Sequence, residues 1–428
     1  MKKSICIYFQ IHHPERLRKY QFFDIGKKHN YFDNYANRSE LEDLAENCYL
    51  PANALLLDLI KKYEGKFKVA FSISGSAIDQ LEMHTPEVIR SFQELAQTGQ
   101  VEFLAETYSH SLASLSEDTD EFELQVKRHS AAIKELFGKK PVTFRNTSLI
   151  YSDKIGKRVA DLGFKTMLTD GAKHVLGWKS PNFVYKNALD ENLNLLLKNS
   201  KLSDDIAIRF SDKNWSEYPL TSEKYVDWVS HSLQDTEVLN LFMNYEVIGY
   251  YNNAQSGIFD FLRYFIIYMM EDDNYEFLLP KEVAKKHPAK DVLPVPYPIS
   301  WTDEERDTTS WLGNELQKEA FRELFKIQPE VRKKKNADLI DDYTRLQASE
   351  HFYFMRTKLF SGADYHKYRL PYDSPYEAFI NYMNVLSDFI ERCKPHEQEE
   401  VQPEQVTNKK RQTRKKWKVT FQSPSPPI

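Results

Sequence analysis

Short apolar runs alternate with amphipathic segments along the first 300 residues of the chain. The apolar runs have the length and composition of β-strands, and the segments between them repeat apolar positions at helical spacing. In order, the predicted strands are SICIYFQ, KFKVAFSI, VEFLAE, PVTFRN, KTMLTD, DIAIRF and EVLNLFMNY. The predicted helices lie around 40–62, 83–98, 119–137, 153–162, 222–233 and 256–271. This alternation predicts an α/β fold in which helices cover a parallel sheet, either open or closed into a barrel.

The pattern changes near residue 303, where three amphipathic helical segments follow one another without a strand between them. We therefore predict an α/β domain over 1–302, a helical bundle over 303–393 and a disordered tail over 394–428. The tail changes from acidic to basic to Pro/Ser-rich sequence and has too few apolar residues to form a core. Its basic run, KKRQTRKKWK, is interpreted as solvated sequence.

Composition excludes several classes of function. The 428 residues carry a formal charge of −5, which argues against a dedicated nucleic-acid-binding protein. Cys6, Cys48 and Cys393 lie far apart and outside any CxxC pattern, so neither a disulfide framework nor a zinc knuckle is predicted. The N-terminal apolar run is too short for a signal peptide, and the later run IFDFLRYFIIYMM is charged and too short to span a bilayer. We expect a protein of the reducing cytoplasm that makes no membrane contact.

Polar side chains collect directly after the predicted strands, where parallel α/β folds place their chemistry. His12, His110 and Ser148 follow three different predicted strands, and Asn244 lies at the end of a fourth. Taken alone, Ser148 fits the N-terminal turn of a helix and Asn244 fits a strand-end hydrogen bond. Asp204 and Asp205 lie beside a fifth predicted strand, and polar residues at five strand ends together predict a common site.

Six segments, in this order, resemble the α-amylase-like branch of glycoside hydrolase family 57. They are FQIHHPERLR, GQVEFLAETYSHSLASL, FRNTSLIYSDKIG, LSDDIAIRFSDKNWSEYPLT, LFMNYEVIGYYNNAQSGIFDFL and SWTDEERDTTSWLGNELQKEA. The resemblance covers roughly residues 1–390. It implies an incomplete seven-stranded (β/α) barrel followed by a C-terminal α-helical bundle, acting on α-1,4-glucans with retention. We expect neither a cofactor nor a bound metal.

The same resemblance shows that both catalytic carboxylates of the family are replaced in this chain. The nucleophile position, a Glu in active members, is Ser148, and the general acid position, an Asp, is Asn244. A retaining glycosidase needs two carboxyl groups about 5–5.5 Å apart, one to attack and one to protonate the leaving oxygen. A serine hydroxyl is uncharged at neutral pH, and an asparagine amide cannot act as a general acid. We therefore expect hydrolysis to be lost or very weak.

Sugar binding is expected to persist, because recognition of hydroxyl groups does not need the catalytic pair. An α-glucan or maltooligosaccharide is the expected partner. The predicted substrate-binding residues are His12, Glu102, His110, Asp303 and Trp311. Trp301 is a further candidate for sugar stacking, and packing between the domains is the alternative for Trp301, Asp303 and Trp311.

Two alternative functions remain open from the sequence. The first is an active α-glucan hydrolase or transferase that uses a replacement carboxylate, either Glu246 or Glu106. Glu246 lies two residues beyond Asn244, on the same side of an extended strand. The second is a metal-dependent polysaccharide deacetylase, suggested by histidines after the first and third strands. Adjacent His12 and His13 would point in opposite directions on an extended chain, which argues against shared metal binding.

Overall fold

Two sheets form the centre of the structure, a computed structural model that describes residues 2–118, 120–358 and 370–394. Six of the seven predicted strands form close to their predicted places. The strands are β1 (Lys3–Ile11), β2 (Val69–Ile73), β3 (Val101–Phe103), β4 (Thr143–Arg145), β5 (Thr166–Asp170), β6 (Val184–Asn187), β7 (Asn194–Lys198), β8 (Val238–Asn244), β9 (Ile248–Gly249), β10 (Asn252–Asn253), β11 (Tyr275–Phe277) and β12 (Asp291–Leu293).

The first sheet is built around β1. β8 runs parallel to β1 from Ser4 to Gln10, while β11 pairs with the start of β1 and β2 with its end. β3 continues the sheet beside β2. All of these pairings are parallel, and β1 is buried along nearly its whole length. Burial on both faces explains why its sequence is almost continuously apolar.

The second sheet has the strand order β12-β6-β7-β5-β4. Its pairings are parallel except for β6 with β7. The two sheets meet at two places, which we call the seams. At the β3–β4 seam, Ala105 N donates to Thr143 O at 2.9 Å and Arg145 N donates to Ala105 O at 2.8 Å. At the β7–β8 seam, Asn199 N donates to Asn240 O at 2.9 Å.

Alternate side chains of β1 enter different cores. Ile5, Ile7 and Phe9 belong to a large apolar cluster with the surrounding helices. Cys6 and Tyr8 instead join a smaller cluster with side chains of the second sheet, such as Leu168 and Leu196. The period of two expected for a strand therefore directs every second residue into the space between the two sheets.

Helices follow most of the strands and continue to the C-terminal end of the described chain. They are α1 (Asn34–Leu44), α2 (Leu50–Lys62), α3 (Gly75–His84), α4 (Pro86–Gln97), α5 (Asp120–Phe137), α6 (Asp153–Asp161), α7 (Lys173–Leu176), α8 (Ser200–Ala207), α9 (Ser222–Leu233), α10 (Ile258–Glu271), α11 (Pro280–Lys286), α12 (Thr309–Leu312), α13 (Glu315–Lys326), α14 (Gln328–Lys334), α15 (Ala337–Leu346), α16 (Ser349–Tyr353) and α17 (Pro375–Cys393). α12 to α17 lie in the predicted helical region. Residues such as Leu324 and Phe389 share an apolar cluster with Phe144 of β4.

One predicted strand is wrong. DIAIRF lies in and just after α8, and the strand at this place is β7, whose sequence is NLLLK. Asn199 follows β7 and caps α8, because its side chain accepts a hydrogen bond from the N–H of Leu202 at 3.0 Å. Leu202 and Ile206 lie one helical turn apart and pack into the same core. This apolar helix face gave the segment the composition of a short strand.

No helix among the described residues is long and apolar enough to cross a membrane. The predicted tail, apart from Lys394, lies outside the described residues.

Candidate functional site

A narrow cleft lies at the carboxyl ends of β1 and β8, where the sequence predicted the site. Its volume is ≈ 40 Å³, enough for about three waters if each needs roughly 10–15 Å³. Four predicted site residues line it, together with carboxylates and aromatic rings. The lining residues that matter below are His12, His110, Ser148, Asn244, Glu246, Trp301 and Glu350.

Ser148 occupies a tight turn that directly follows β4. Its backbone has φ 49° and ψ 32°, and Leu149 beside it has φ 55°, so two successive non-glycine residues are left-handed. Such residues cost of order 1–3 kcal/mol each and persist only where surrounding contacts fix them. The carbonyl oxygen of Ser148 accepts a hydrogen bond from Trp301 N at 3.2 Å. The strained turn is thus tied to a second residue of the cleft.

Asn244 is the last residue of β8 and lies opposite Gln10 of β1 in the parallel register. Its Oδ1 atom is buried and accepts no hydrogen bond from any described residue. A buried acceptor without a donor costs about 1–3 kcal/mol unless water or a ligand supplies one. This amide oxygen is therefore suited to accept a hydrogen bond from a ligand in the cleft.

A buried ion pair lies behind the cleft. Arg145 Nη2 donates to Glu106 Oε2 at 2.8 Å, and both side chains are fully buried. Ser72 Oγ donates to the other Glu106 oxygen at 2.7 Å, and His110 Nδ1 lies 3.1 Å from Oε2. Burial opposes the charge of Glu106, but the Arg145 guanidinium overcomes this and lowers the pKa of Glu106 well below its ordinary value. Glu106 therefore orients Arg145 and His110, and it does not line the cleft.

His12 connects the first sheet to the C-terminal helices. Its Nδ1 lies 2.7 Å from Ser74 Oγ, and its Nε2 lies 3.0 Å from Glu350 Oε2. The His12 ring stacks on the His110 ring at a centroid distance of 4.4 Å. Glu350 belongs to α16 and is one of the cleft residues that the sequence analysis missed. It lies 338 positions from His12 in a helical segment, and no local pattern pointed to it.

Lowering the pH below about 6.5 should destabilise the fold through His110 and His351. Burial lowers the pKa of both side chains to about 4, whereas an unfolded histidine titrates near about 6.5. Between these values the unfolded state binds protons that the folded state does not. The free energy of unfolding therefore decreases as the pH is lowered. The slope should approach about 1.4 kcal/mol per pH unit for each histidine. Urea unfolding at several pH values measures it in wild-type protein and in His351→Gln, and equal slopes for the two proteins between about pH 6.5 and 4.5 would contradict this expectation.

A buried ionic cluster supports Trp301 at the cleft. Lys198 Nζ lies 4.8 Å from the centre of the Trp301 ring and 2.8 Å from Asp204 Oδ1. Arg306 donates to Asp204 Oδ2 at 3.2 Å and also to the carbonyl oxygen of Trp301. Phe242 packs against the ring edge-to-face, with centroids 5.9 Å apart. These contacts fix the Trp301 ring as part of the cleft wall.

Glu246 is a carboxylate that lines the cleft close to Asn244 in sequence. It is buried, and its Oε1 accepts a hydrogen bond from Tyr49 OH at 2.6 Å. This position is compatible with the prediction that Glu246 can reach the site.

Three predicted substrate-binding residues do not line this cleft. Glu102 of β3 is buried, where it accepts hydrogen bonds from Thr143 Oγ1 at 2.7 Å and Lys281 N at 3.2 Å, and burial raises its pKa. Asp303 accepts a hydrogen bond from Ser310 Oγ. Trp311 is buried in the apolar cluster shared by the second sheet and the C-terminal helices, as its packing alternative predicted. Glu102 was wrongly expected at the cleft because the sequence did not show which end of β3 the residue occupies; it is the second residue of the strand.

His13 has different partners from His12 and does not line the cleft. Its Nδ1 lies 3.0 Å from Gln80 Oε1. Within the described part of the chain, no group of three or more His, Cys, Asp or Glu side chains is arranged to hold a metal ion.

Comparison with known proteins identifies relatives of this chain. Residues 6–296 match the family model described as Glycosyl hydrolase family 57. The chain is also 37% identical over 400 residues to a Methanocaldococcus jannaschii protein named "Putative alpha-amylase". That alignment covers 90% of this chain and 84% of the relative.

Solved structures share the fold. A GH57-type branching enzyme from Pyrococcus horikoshii has a TM-score of 0.64 at 12% identity, covering 91% of this chain and 88% of that protein. A 4-alpha-glucanotransferase from Thermococcus litoralis has a TM-score of 0.63 at 13% identity and matches 90% of this chain. The match spans 59% of the length of that glucanotransferase. At sequence identities this low, the structural similarity shows a common fold and nothing further.

Proposed function

Because this chain belongs to glycoside hydrolase family 57, we propose that it is an α-amylase-like protein of α-1,4-glucan metabolism that binds glucan and hydrolyses it very weakly or not at all. The proposal rests on the cleft that Ser148 and Asn244 both line. By the resemblance in the sequence, these residues correspond to the nucleophile and the general acid. A cytoplasmic location is part of the proposal and is supported by Cys6, Cys48 and Cys393, which are buried and form no disulfide among the described residues.

The proposed architecture is an incomplete seven-stranded barrel over 1–302 followed by a helical bundle over 303–393. Seven parallel strands are neighbours in the order β8-β1-β2-β3-β4-β5-β7, with the two seams linking the sheets. Residues between the sheets, including Tyr8 and Leu196, fill the interior. This arrangement brings the carboxyl ends of the strands around one cleft.

The cleft offers groups for sugar recognition, but Ser148 and Asn244 stand where a retaining glycosidase has its two catalytic carboxyl groups. Asn244 Oδ1 can accept a hydrogen bond from a hydroxyl, and the Trp301 ring can pack against the C–H face of a pyranose. Neither Ser148 nor Asn244 supplies the negative charge or the acidic proton that glycosidic bond cleavage needs. We therefore assign binding to this site, with bond cleavage greatly reduced.

Binding should be weak, because a cleft of ≈ 40 Å³ must widen before it admits a sugar ring. We expect a dissociation constant for maltooligosaccharides on the order of 10⁻³–10⁻⁴ M, about 4–5.5 kcal/mol. Ligand-observed NMR measures it. Trp301→Ala should weaken binding by at least ~10-fold, while Trp178→Ala, which changes a tryptophan that is 92% exposed, should leave it unchanged. Absence of binding at several times the expected constant would overturn the glucan-binding proposal.

Wild-type protein should release no reducing sugar above a heat-inactivated control.

A second candidate function is favoured by the position of Glu246 in the same cleft, close to Asn244 in sequence. If Glu246 replaced a catalytic carboxylate, wild-type protein would turn over maltooligosaccharides steadily and Glu246→Gln would abolish that turnover. The deacetylase alternative is not favoured, because the chain belongs to a glycoside hydrolase family.

A further inference from the structure

A larger pocket lies away from the cleft, at the amino ends of β4, β5 and β7. Its volume is ≈ 470 Å³, within the roughly 300–1,000 Å³ typical of small-molecule sites. Four lysines line it: Lys140, Lys165, Lys281 and Lys285. We call this feature the lysine pocket.

The residues that line the lysine pocket carry only positive charge. No acidic side chain lines the pocket, and its four lysines form no ion pair with a described residue. Two glutamates lie close by without lining the pocket. Glu282 binds Lys68 through both carboxylate oxygens at 2.8 and 2.9 Å. Glu102 is buried, and it accepts hydrogen bonds from Thr143 Oγ1 and from the backbone N–H of Lys281. On a chain with a formal charge of −5, four lysines without an acidic residue among the lining side chains make this pocket locally cationic.

Apolar side chains and two neutral polar side chains also line the lysine pocket. Val142, which is 50% exposed, lies there with Leu162 and Phe164. Thr166 and Asn194 also line the pocket, and their side chains make no hydrogen bond to a described residue. The pocket therefore combines an apolar surface for a ligand body with hydrogen-bonding groups and the positive charge of four lysines.

We propose that the lysine pocket binds a small phosphorylated molecule. The phosphate contacts the lysines, and the ring or base that carries it lies on Val142, Leu162 and Phe164. A phosphate monoester carries about −1.5 to −2 charge and three acceptor oxygens at neutral pH, so it suits several lysine donors better than a single carboxylate does. Lysine ammonium groups bind phosphate as mobile point charges and tolerate different positions of the ester group. This site is separate from the glucan cleft, and the proposal does not depend on the function of that cleft.

Titration with adenosine monophosphate and glucose 6-phosphate tests the proposal, with adenosine, glucose and inorganic phosphate as comparisons. At low ionic strength we expect at least one phosphorylated compound to bind with a dissociation constant below about 1 mM, at least ~10-fold tighter than inorganic phosphate or its neutral parent. The preferred compound distinguishes a nucleotide from a sugar phosphate. Added salt should weaken binding, because the lysines are solvent-exposed.

Charge reversal locates the site. Lys165→Glu combined with Lys281→Glu should weaken binding at least ~10-fold, while Lys→Arg at both positions should retain it. Lys61→Glu with Lys173→Glu makes the same change in net charge at exposed lysines outside the pocket and should change binding less than about twofold. Circular dichroism confirms that each variant is folded. The proposal is overturned if neither phosphorylated compound binds at about 10 mM, if inorganic phosphate binds equally tightly, or if both charge reversals have the same effect.

Discussion

Protein carrying Ser148→Glu and Asn244→Asp together should hydrolyse maltooligosaccharides at least ~10²-fold faster than the wild-type background. The double change restores two carboxyl groups to one cleft, one to attack the sugar and one to protonate the leaving oxygen. Each single variant should remain within about tenfold of the background, because two groups that act as a unit lose most of their effect when either is absent. Reducing-sugar release over time measures the rate.

Size-matched controls separate charge from shape. Ser148→Gln combined with Asn244→Asp has the same bulk as the double variant but lacks the nucleophilic carboxylate. It should stay at background while still binding maltooligosaccharide in the NMR assay. Equal rates for the glutamine and glutamate versions, with both folded and binding sugar, would mean that Ser148 does not occupy the nucleophile position.

Glu106→Gln should lower the free energy of unfolding by about 3–5 kcal/mol. The substitution leaves the Arg145 guanidinium fully buried without its counter-charge, and an uncompensated buried charge is strongly destabilising. Urea unfolding at pH 7 measures the loss. The matched control is Glu123→Gln, which removes an exposed ion pair with Lys127 and should cost less than about 1 kcal/mol.

Removing both charges should be less damaging than the sum of the single losses. In Glu106→Gln with Arg145→Met, neither a carboxylate nor a guanidinium remains buried alone, so the two substitutions should be non-additive. If Glu106→Gln costs no more than Glu123→Gln, the ion pair contributes little to the fold and its role as an anchor behind the cleft is lost.

Strand positions were readable from the sequence wherever both faces of a strand are buried. β1 and β8 are nearly continuous apolar runs, and such runs predict strands of a parallel sheet. The error at DIAIRF has a physical cause, because one apolar face of the short helix α8 has the same composition as a strand. β6 and β12 were missed because their sequences, VYKN and DVL, are short and mixed in polarity.

The site was predictable in part because the carboxyl ends of parallel strands converge. His12, His110, Ser148 and Asn244 follow strands, and all four line the cleft. Glu350 could not be found this way, since a helix of the C-terminal region carries it to His12. Long-range packing of this kind leaves no periodic signal in the sequence.

The distance between Ser148 and Asn244 depends on how the two sheets are joined at the seams. Ser148 follows β4 of the second sheet, whereas Asn244 ends β8 of the first. The backbone hydrogen bonds at Ala105 and Asn199 join these sheets. Hydrogen exchange at these amides would report transient opening of the seams. The distance across the cleft therefore depends on how the two sheets are joined as well as on the two side chains.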